Sequence, residues 1–146
     1  MPTRTARTAW NGTLQEGSGQ VELSSSKVGT YDVSFPRRAA DDADGVTSPE
    51  EMIAAAHSAC YAMSLSNEIA KAGGTPISLD VRADVSLGPD PAGGLHLTGI
   101  VLTVRAELDG LDADGFQQAA QTAKAGCPIS KALAAVDISL DAALEQ

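Results

Sequence analysis

No stretch of this sequence approaches the roughly 20 consecutive apolar residues that a bilayer-spanning helix needs. Its start, Met1-Pro-Thr-Arg-Thr, has no apolar segment behind the basic residues, as a secretory signal would require. The chain is therefore expected neither to cross a membrane nor to be exported, and its default address is cytoplasmic. Basic residues are scarce: 10 Lys plus Arg stand against 19 Asp plus Glu, a net charge of −9. Such a surface repels phosphate backbones and argues against a nucleic-acid partner. Cysteine is scarcer still, with 2 residues, too few for a disulfide scaffold. In a reducing compartment such a pair is catalytic, redox-active or simply buried. Also missing are a GxSxG elbow, a GxGxxG or Walker loop and an HExxH helix.

The 146 residues suffice for one domain that buries about two thirds of its unfolded surface without staples. Hydrophobic residues at 43% and charged residues at 20% are ordinary for a globular protein. A single domain over 1–146 is expected. Thr3 to Trp10, Gln20 to Ser25 and Thr30 to Phe35 are rich in β-formers and separated by turn residues, which predicts three meandering strands. Ala39 to Thr47 has no periodicity and reads as a loop. Ser48-Pro49-Glu50-Glu51 opens a helix, with Ser48 as N-cap, Pro49 in the first turn and Glu51 completing a capping box. Helix-compatible residues run to Lys71, and Gly73-Gly74 supplies the stop. The alanines at 54, 55, 56, 59 and 62 let another backbone approach this helix closely, inside the protein or in a partner subunit.

Ser78 to Leu87 and Leu95 to Leu108 form a hairpin about a Gly-Pro turn, the second strand alternating at Ile100, Leu102, Val104, Ala106 and Leu108. Asp112 to Ala125 reads as a helix, Ile129 to Ala134 as a short second one after Pro128, and Val136 to Leu140 as a closing strand. The order βββ–α–ββ–αα–β predicts an α+β fold rather than a doubly wound sheet.

Cys60 lies mid-helix and Cys127 at a helix start, 67 positions apart. A helix N-terminus and Lys124 favour a thiolate at Cys127. Cys60 has no such help and needs an imported cation to react. Packing is the alternative for both, since free cysteine is among the most buried residue types. His57, Cys60, His96 and Cys127 have the inventory of a two-cysteine, two-histidine zinc site, but His96 and Cys127 lack the close ligand pairing usual there. Asp41, Asp42 and Asp44 begin like a calcium loop and then lose its spacing. Arg37-Arg38 beside them reads as a surface charge pair.

Two segments together go further. Ser48-Pro49-Glu50-Glu51-Met52-Ile53-Ala54-Ala55-Ala56-His57-Ser58-Ala59-Cys60 and Ala123-Lys124-Ala125-Gly126-Cys127-Pro128-Ile129-Ser130 resemble the two cysteine motifs of the OsmC/Ohr family of thiol peroxidases, and closest to its OsmC branch. The likeness covers essentially the whole chain, including Ala9-Trp10-Asn11-Gly12. It implies an OsmC-like fold, with antiparallel sheets wrapped around central helices in an intertwined homodimer. It also implies reduction of organic hydroperoxides, and hydrogen peroxide more weakly, with no metal or cofactor. By position, Cys60 is the peroxidatic cysteine, Cys127 the resolving cysteine, and Glu50 the carboxylate that orients an arginine. That arginine aligns best as Arg38, with Arg37 the alternative. The resemblance suggests a dithiol of the lipoyl type as reductant. Glu50 and Cys60 are ten residues apart, about 15 Å along one helix, so a Glu50 that serves a Cys60 is expected to come from a partner subunit.

Overall fold

The computed structural model describes residues 1–145, so Gln146 of the expected 1–146 domain lies outside the described residues. The chain divides into two units, Met1–Met52 and Ile53–Gln146, with the boundary in the first turns of the long helix.

The first unit is a three-stranded antiparallel meander, β1 (Arg7–Asn11), β2 (Ser18–Glu22) and β3 (Thr30–Val33), in that spatial order. The first two strands are displaced from their expected positions by the β1–β2 turn. There Gly17 N–H bonds Thr13 O at 2.8 Å and the Trp10 indole donates to Gly12 O at 3.0 Å, which pairs Trp10 with Gly19. Only glycine fits opposite Trp10, because a Cβ at Gly19 would stand 2.6 Å from Ala9 O. A short helix, α1 (Phe35–Arg38), replaces the expected end of the third strand. Ser34 caps it by accepting from Arg37 N–H at 3.4 Å, with a proline in its first turn.

Helix α2 (Pro49–Lys71) begins and ends as its sequence predicts. Ser48 Oγ accepts from Glu51 N–H at 3.1 Å. The other half of the capping box is replaced: the Glu51 carboxylate accepts from the Thr47 hydroxyl at 2.5 Å instead of reaching the Ser48 backbone. Gly73, at φ +95°, ends the helix, and Gly74 N–H bonds back to Ile69 O at 2.9 Å.

In the second unit, β4 (Thr75–Pro89) and β5 (Leu95–Asp109) form the long antiparallel hairpin, and β6 (Ile138–Leu144) lies on the far side of β5. The β5–β6 pair is parallel, so this sheet is mixed and not antiparallel throughout. The connection explains this: α3 (Ala113–Gly126) and α4 (Pro128–Ala132) carry the chain back to the start of β5 before β6 begins. β6 extends to Leu144 because its register against β5 runs from Ile100↔Ile138 to Ala106↔Leu144.

The core of this unit lies between the sheet and its helices. β5 contributes Leu102, Val104 and Ala106, α2 contributes Tyr61, Leu65 and Ile69 at four-residue spacing, and α3 contributes Phe116, Ala119, Ala120 and Ala123. The Tyr61 hydroxyl donates to Ala120 O at 2.9 Å and ties the helices together. Among the described residues no helix is long and apolar enough to cross a membrane.

Candidate active site

Cys60 and Cys127 are brought together by the core of the second unit. Pro128 disfavours helical geometry at the residue before it, and Cys127 accordingly has φ −58°, ψ 125°, ending α3 and starting α4. Its side chain is wholly buried against the α2–α3 core. Cys60, one residue before the core tyrosine on α2, is partly accessible. The two sulfurs lie 3.2 Å apart, both as free thiols.

At that distance one proton bridges the pair, and either thiol can be its donor. Burial pushes the Cys60 thiol above its ordinary value. The Ile129 backbone N–H pulls the other way, the neighbouring Cys127 adds to the rise, and the Ser64 hydroxyl again opposes it. Burial acts upward on Cys127 as well, but the Ser130 backbone N–H, the Cys60 thiol, the Ser130 hydroxyl and the Ile129 N–H together hold it below the usual thiol range. Cys127 forms no side-chain capping bond as a thiol; these donors act on the charge that ionisation puts on its sulfur. When the pair loses one proton, these directions favour the charge on Cys127 over Cys60.

Behind Cys127, His57 Nε2 lies 2.7 Å from Ser130 Oγ, both side chains buried. Burial lowers the His57 pKa and so favours the neutral imidazole. The four candidate zinc ligands are not assembled. His96 is exposed at the β4–β5 turn with Asp90 at 3.8 Å, and among the described residues no three His, Cys, Asp or Glu side chains are placed to hold a metal. Lys124 stands in the last turn of α3.

The arginine–carboxylate pair belongs to the first unit. Arg38, at the end of α1, donates from Nε to both Glu50 oxygens at 3.1 and 3.2 Å and from Nη2 to Oε1 at 2.7 Å. This fork fixes the guanidinium plane, as no lysine would. The Glu50 side chain is 10% exposed and that of Arg38 34%. Arg37 turns the other way and pairs with Asp44 at 3.0 Å on the surface, so the two adjacent arginines are distinguished by geometry. Asp44, one of the three loop aspartates, is thereby an ion-pair partner. Beside Arg38 lies a mainly apolar cavity of about 220 Å³, with Trp10, Val21, Phe35, Pro49 and Met52 in its wall. Sequence reasoning missed this cavity and the His57–Ser130 bond; the first draws on strands and helices scattered over 45 residues, and the second joins positions 73 apart.

An α+β fold with one cysteine inside a central helix, a second at a helix junction and a forked Arg–Glu pair defines a class of protein. Residues 41–141 match the profile of the family described as OsmC-like protein, and the chain belongs to that family. It is 41% identical over 132 residues to Peroxiredoxin OsmC of Escherichia coli (strain K12), covering 90% of each chain. It is 31% identical over 123 residues to the organic hydroperoxide resistance protein OhrA of Bacillus subtilis (strain 168), covering 83% of this chain and 85% of that one. The crystal structure of the organic hydroperoxide resistance protein OhrB of Bacillus subtilis superposes with a TM-score of 0.74 at 28% identity, over 95% of this chain and 98% of that one.

Proposed function

We propose that this chain is a cysteine-based peroxidase that reduces organic hydroperoxides to alcohols, in defence against oxidative or osmotic stress in the cytosol. The observation that carries the reading is the 3.2 Å separation of two sulfurs 67 positions apart. The about 2.05 Å of a disulfide is only about 1.2 Å shorter. The relatives named for peroxiredoxin activity and organic hydroperoxide resistance support the same reading.

A thiolate at Cys60 attacks the terminal peroxide oxygen. The O–O bond breaks, the alkoxide leaves and takes up a proton, and Cys60 becomes a sulfenic acid. Ionisation alone does not make this fast. Full ionisation raises the thiolate fraction by about thirtyfold at neutral pH, and the accompanying fall in nucleophilicity returns roughly tenfold of that gain. A fixed donor on the departing oxygen supplies the rest, which is the role of the Arg38 guanidinium held by Glu50.

The chain's own field raises the Cys60 pKa, so an outside cation would favour the peroxidatic thiolate. Glu50 and Cys60 stand ten residues apart on α2, and the cation is therefore Arg38 of the partner subunit in a homodimer. One further feature of α2 supports this: beside its core stripe it leaves Ala55, Ala59 and Met63 exposed at four-residue spacing. That is a small apolar face suited to close packing against its own copy. The apolar cavity beside Arg38 takes the hydrocarbon part of the substrate.

Cys127 then condenses with the sulfenic acid, sparing Cys60 from irreversible oxidation, and a dithiol of the lipoyl type resets the enzyme. The lowered Cys127 pKa favours a second reading in which Cys127 attacks the peroxide, but its sulfur is wholly buried while Cys60 is accessible. Thiol titration and intact mass before and after one equivalent of cumene hydroperoxide test the proposal. Loss of both thiols with formation of one intramolecular disulfide is expected, and unchanged thiols refute it.

A further inference from the structure

His57 has no part in the steps above, yet its side chain is fully buried and spends its Nε2 on Ser130, while Nδ1 meets no hydrogen-bond partner among the described residues. A neutral imidazole has one N–H and one lone pair. An orphaned buried N–H is rarer than an under-used acceptor, so the proton belongs on Nε2 and is donated to Ser130 Oγ. That oxygen's own hydrogen is then left to donate elsewhere. Ser130 is the third residue of α4 and Cys127 its N-cap, so the two stand one helical turn apart at the same helix start. The Ser130 hydroxyl and N–H are among the groups that pull the Cys127 thiol below its ordinary value.

We propose that His57 is a positioning residue, which through Ser130 keeps a hydroxyl donor turned onto the Cys127 sulfur whenever that sulfur is an anion. The inference rests on the peroxidase reading and concerns its second half. When Cys127 S⁻ attacks the Cys60 sulfenic acid, the S–S bond forms and the S–O bond breaks. The leaving hydroxide takes the proton that Cys127 gave up and departs as water. When a thiolate of the dithiol attacks the disulfide at Cys60, the S–S electron pair goes to Cys127, which leaves as a thiolate facing Ser130. The second thiol of the reductant, once deprotonated, then frees Cys60 as the dithiol closes to its own disulfide. A thiol of lower pKa is the better leaving group, so the chain His57–Ser130–Cys127 steers the reductant to Cys60. Of the side chains around Cys127, Cys60 and Tyr61 on α2 are titratable, and the Tyr61 hydroxyl is committed to Ala120.

Single-turnover kinetics on the full chain separate this inference from the reading beneath it. With one equivalent of cumene hydroperoxide, Ser130→Ala and His57→Leu should consume peroxide at least as fast as the wild type, because a less stabilised Cys127 anion leaves more of the shared charge on Cys60, but should close the disulfide at least about tenfold more slowly, the scale of one hydrogen bond to a charged group. His57→Gln, whose amide can still donate to Ser130, should recover closure to within about threefold. The pH midpoint of thiolate absorbance, read for Cys127 in a Cys60→Ser background, should rise by about one unit in Ser130→Ala and His57→Leu and return in His57→Gln. Closure at the wild-type rate with an unmoved midpoint overturns the inference, as does His57→Gln behaving like His57→Leu. Should His57→Leu not fold, Ser130→Ala decides alone. A wild-type protein that consumes no peroxide refutes the peroxidase reading instead.

Discussion

The two units of the chain solve the problem of holding a reactive side chain in opposite ways. From Ile53 onward, three secondary-structure elements close over Tyr61, Leu65, Leu102, Val104 and Phe116, and both sulfurs are set in or beside that core. The first 52 residues bury a single apolar side chain, Val21, among the described residues, and leave Trp10 at 41% and Tyr31 at 43% exposure. Their most buried ion pair is the Arg38–Glu50 fork. A thin sheet with wet aromatic residues gains little from its own burial. The sulfurs are thus fixed by packing and the guanidinium by hydrogen bonds. Packing holds a position dry and raises the cost of charge; a forked ion pair holds an orientation and brings the charge with it. The proposed peroxidase reaction would draw on both.

The sharpest way to break this contrast is at the sulfurs. Cys60→Ser should abolish peroxide consumption, whereas Cys127→Ser should complete one turnover and then accumulate sulfenic and sulfinic acid, read by stopped flow and intact mass. Equal loss of the first turnover in both variants would remove the assignment of roles. Next comes packing: Phe116→Ala should cost about 3–5 kcal/mol in denaturant unfolding, and Val21→Ala less than about 2 kcal/mol. Equal costs would show that the first unit is as tightly packed as the second. Arg38→Ala should slow the first turnover by about 10²–10³-fold, as removal of a fixed donor does. Arg38→Lys should not restore it, because a lysine cannot make the fork. Arg37→Ala, which breaks only the surface pair with Asp44, should leave the rate unchanged.

The same contrast decides what could be read from the residues. Helix α2 was legible because its signals are local: Ser48 and Pro49 at one end, Gly73 at the other. The β4–β5 hairpin was legible because alternation at Ile100, Leu102 and Val104 is imposed by one buried face. In the first unit no strand is patterned by a substantial core, so the ends of β1 and β2 slid with their turn. Helix α1 was missed although Ser34 followed by Pro36 is a usable start signal; four residues are too few to show a period. The mixed sheet was hidden because strand direction is set by the α3–α4 crossover and not by β6 itself. At the site, each cysteine's helical setting followed from local sequence, but their meeting depends on the whole second core and entered only through family resemblance. The His57–Ser130 bond had no local signature at all.

The smallest effect tests whether the second unit is as dry as its burial indicates. Burial lowers the His57 pKa in the folded protein, whereas in the unfolded chain it returns to about 6.5. Between those two values the unfolded state binds a proton that the native state does not, so unfolding is favoured as pH falls through that window, and the effect levels off below the folded pKa. The slope is at most about 1.4 kcal/mol per pH unit. Denaturant midpoints at pH 7.5 and 5.5 should therefore differ more for the wild type than for His57→Gln, which keeps a donor to Ser130 but cannot charge. An identical difference in the two proteins would mean that the imidazole is hydrated in the native state, and the sulfur pair beside it would then lie in wetter surroundings than a packed core provides.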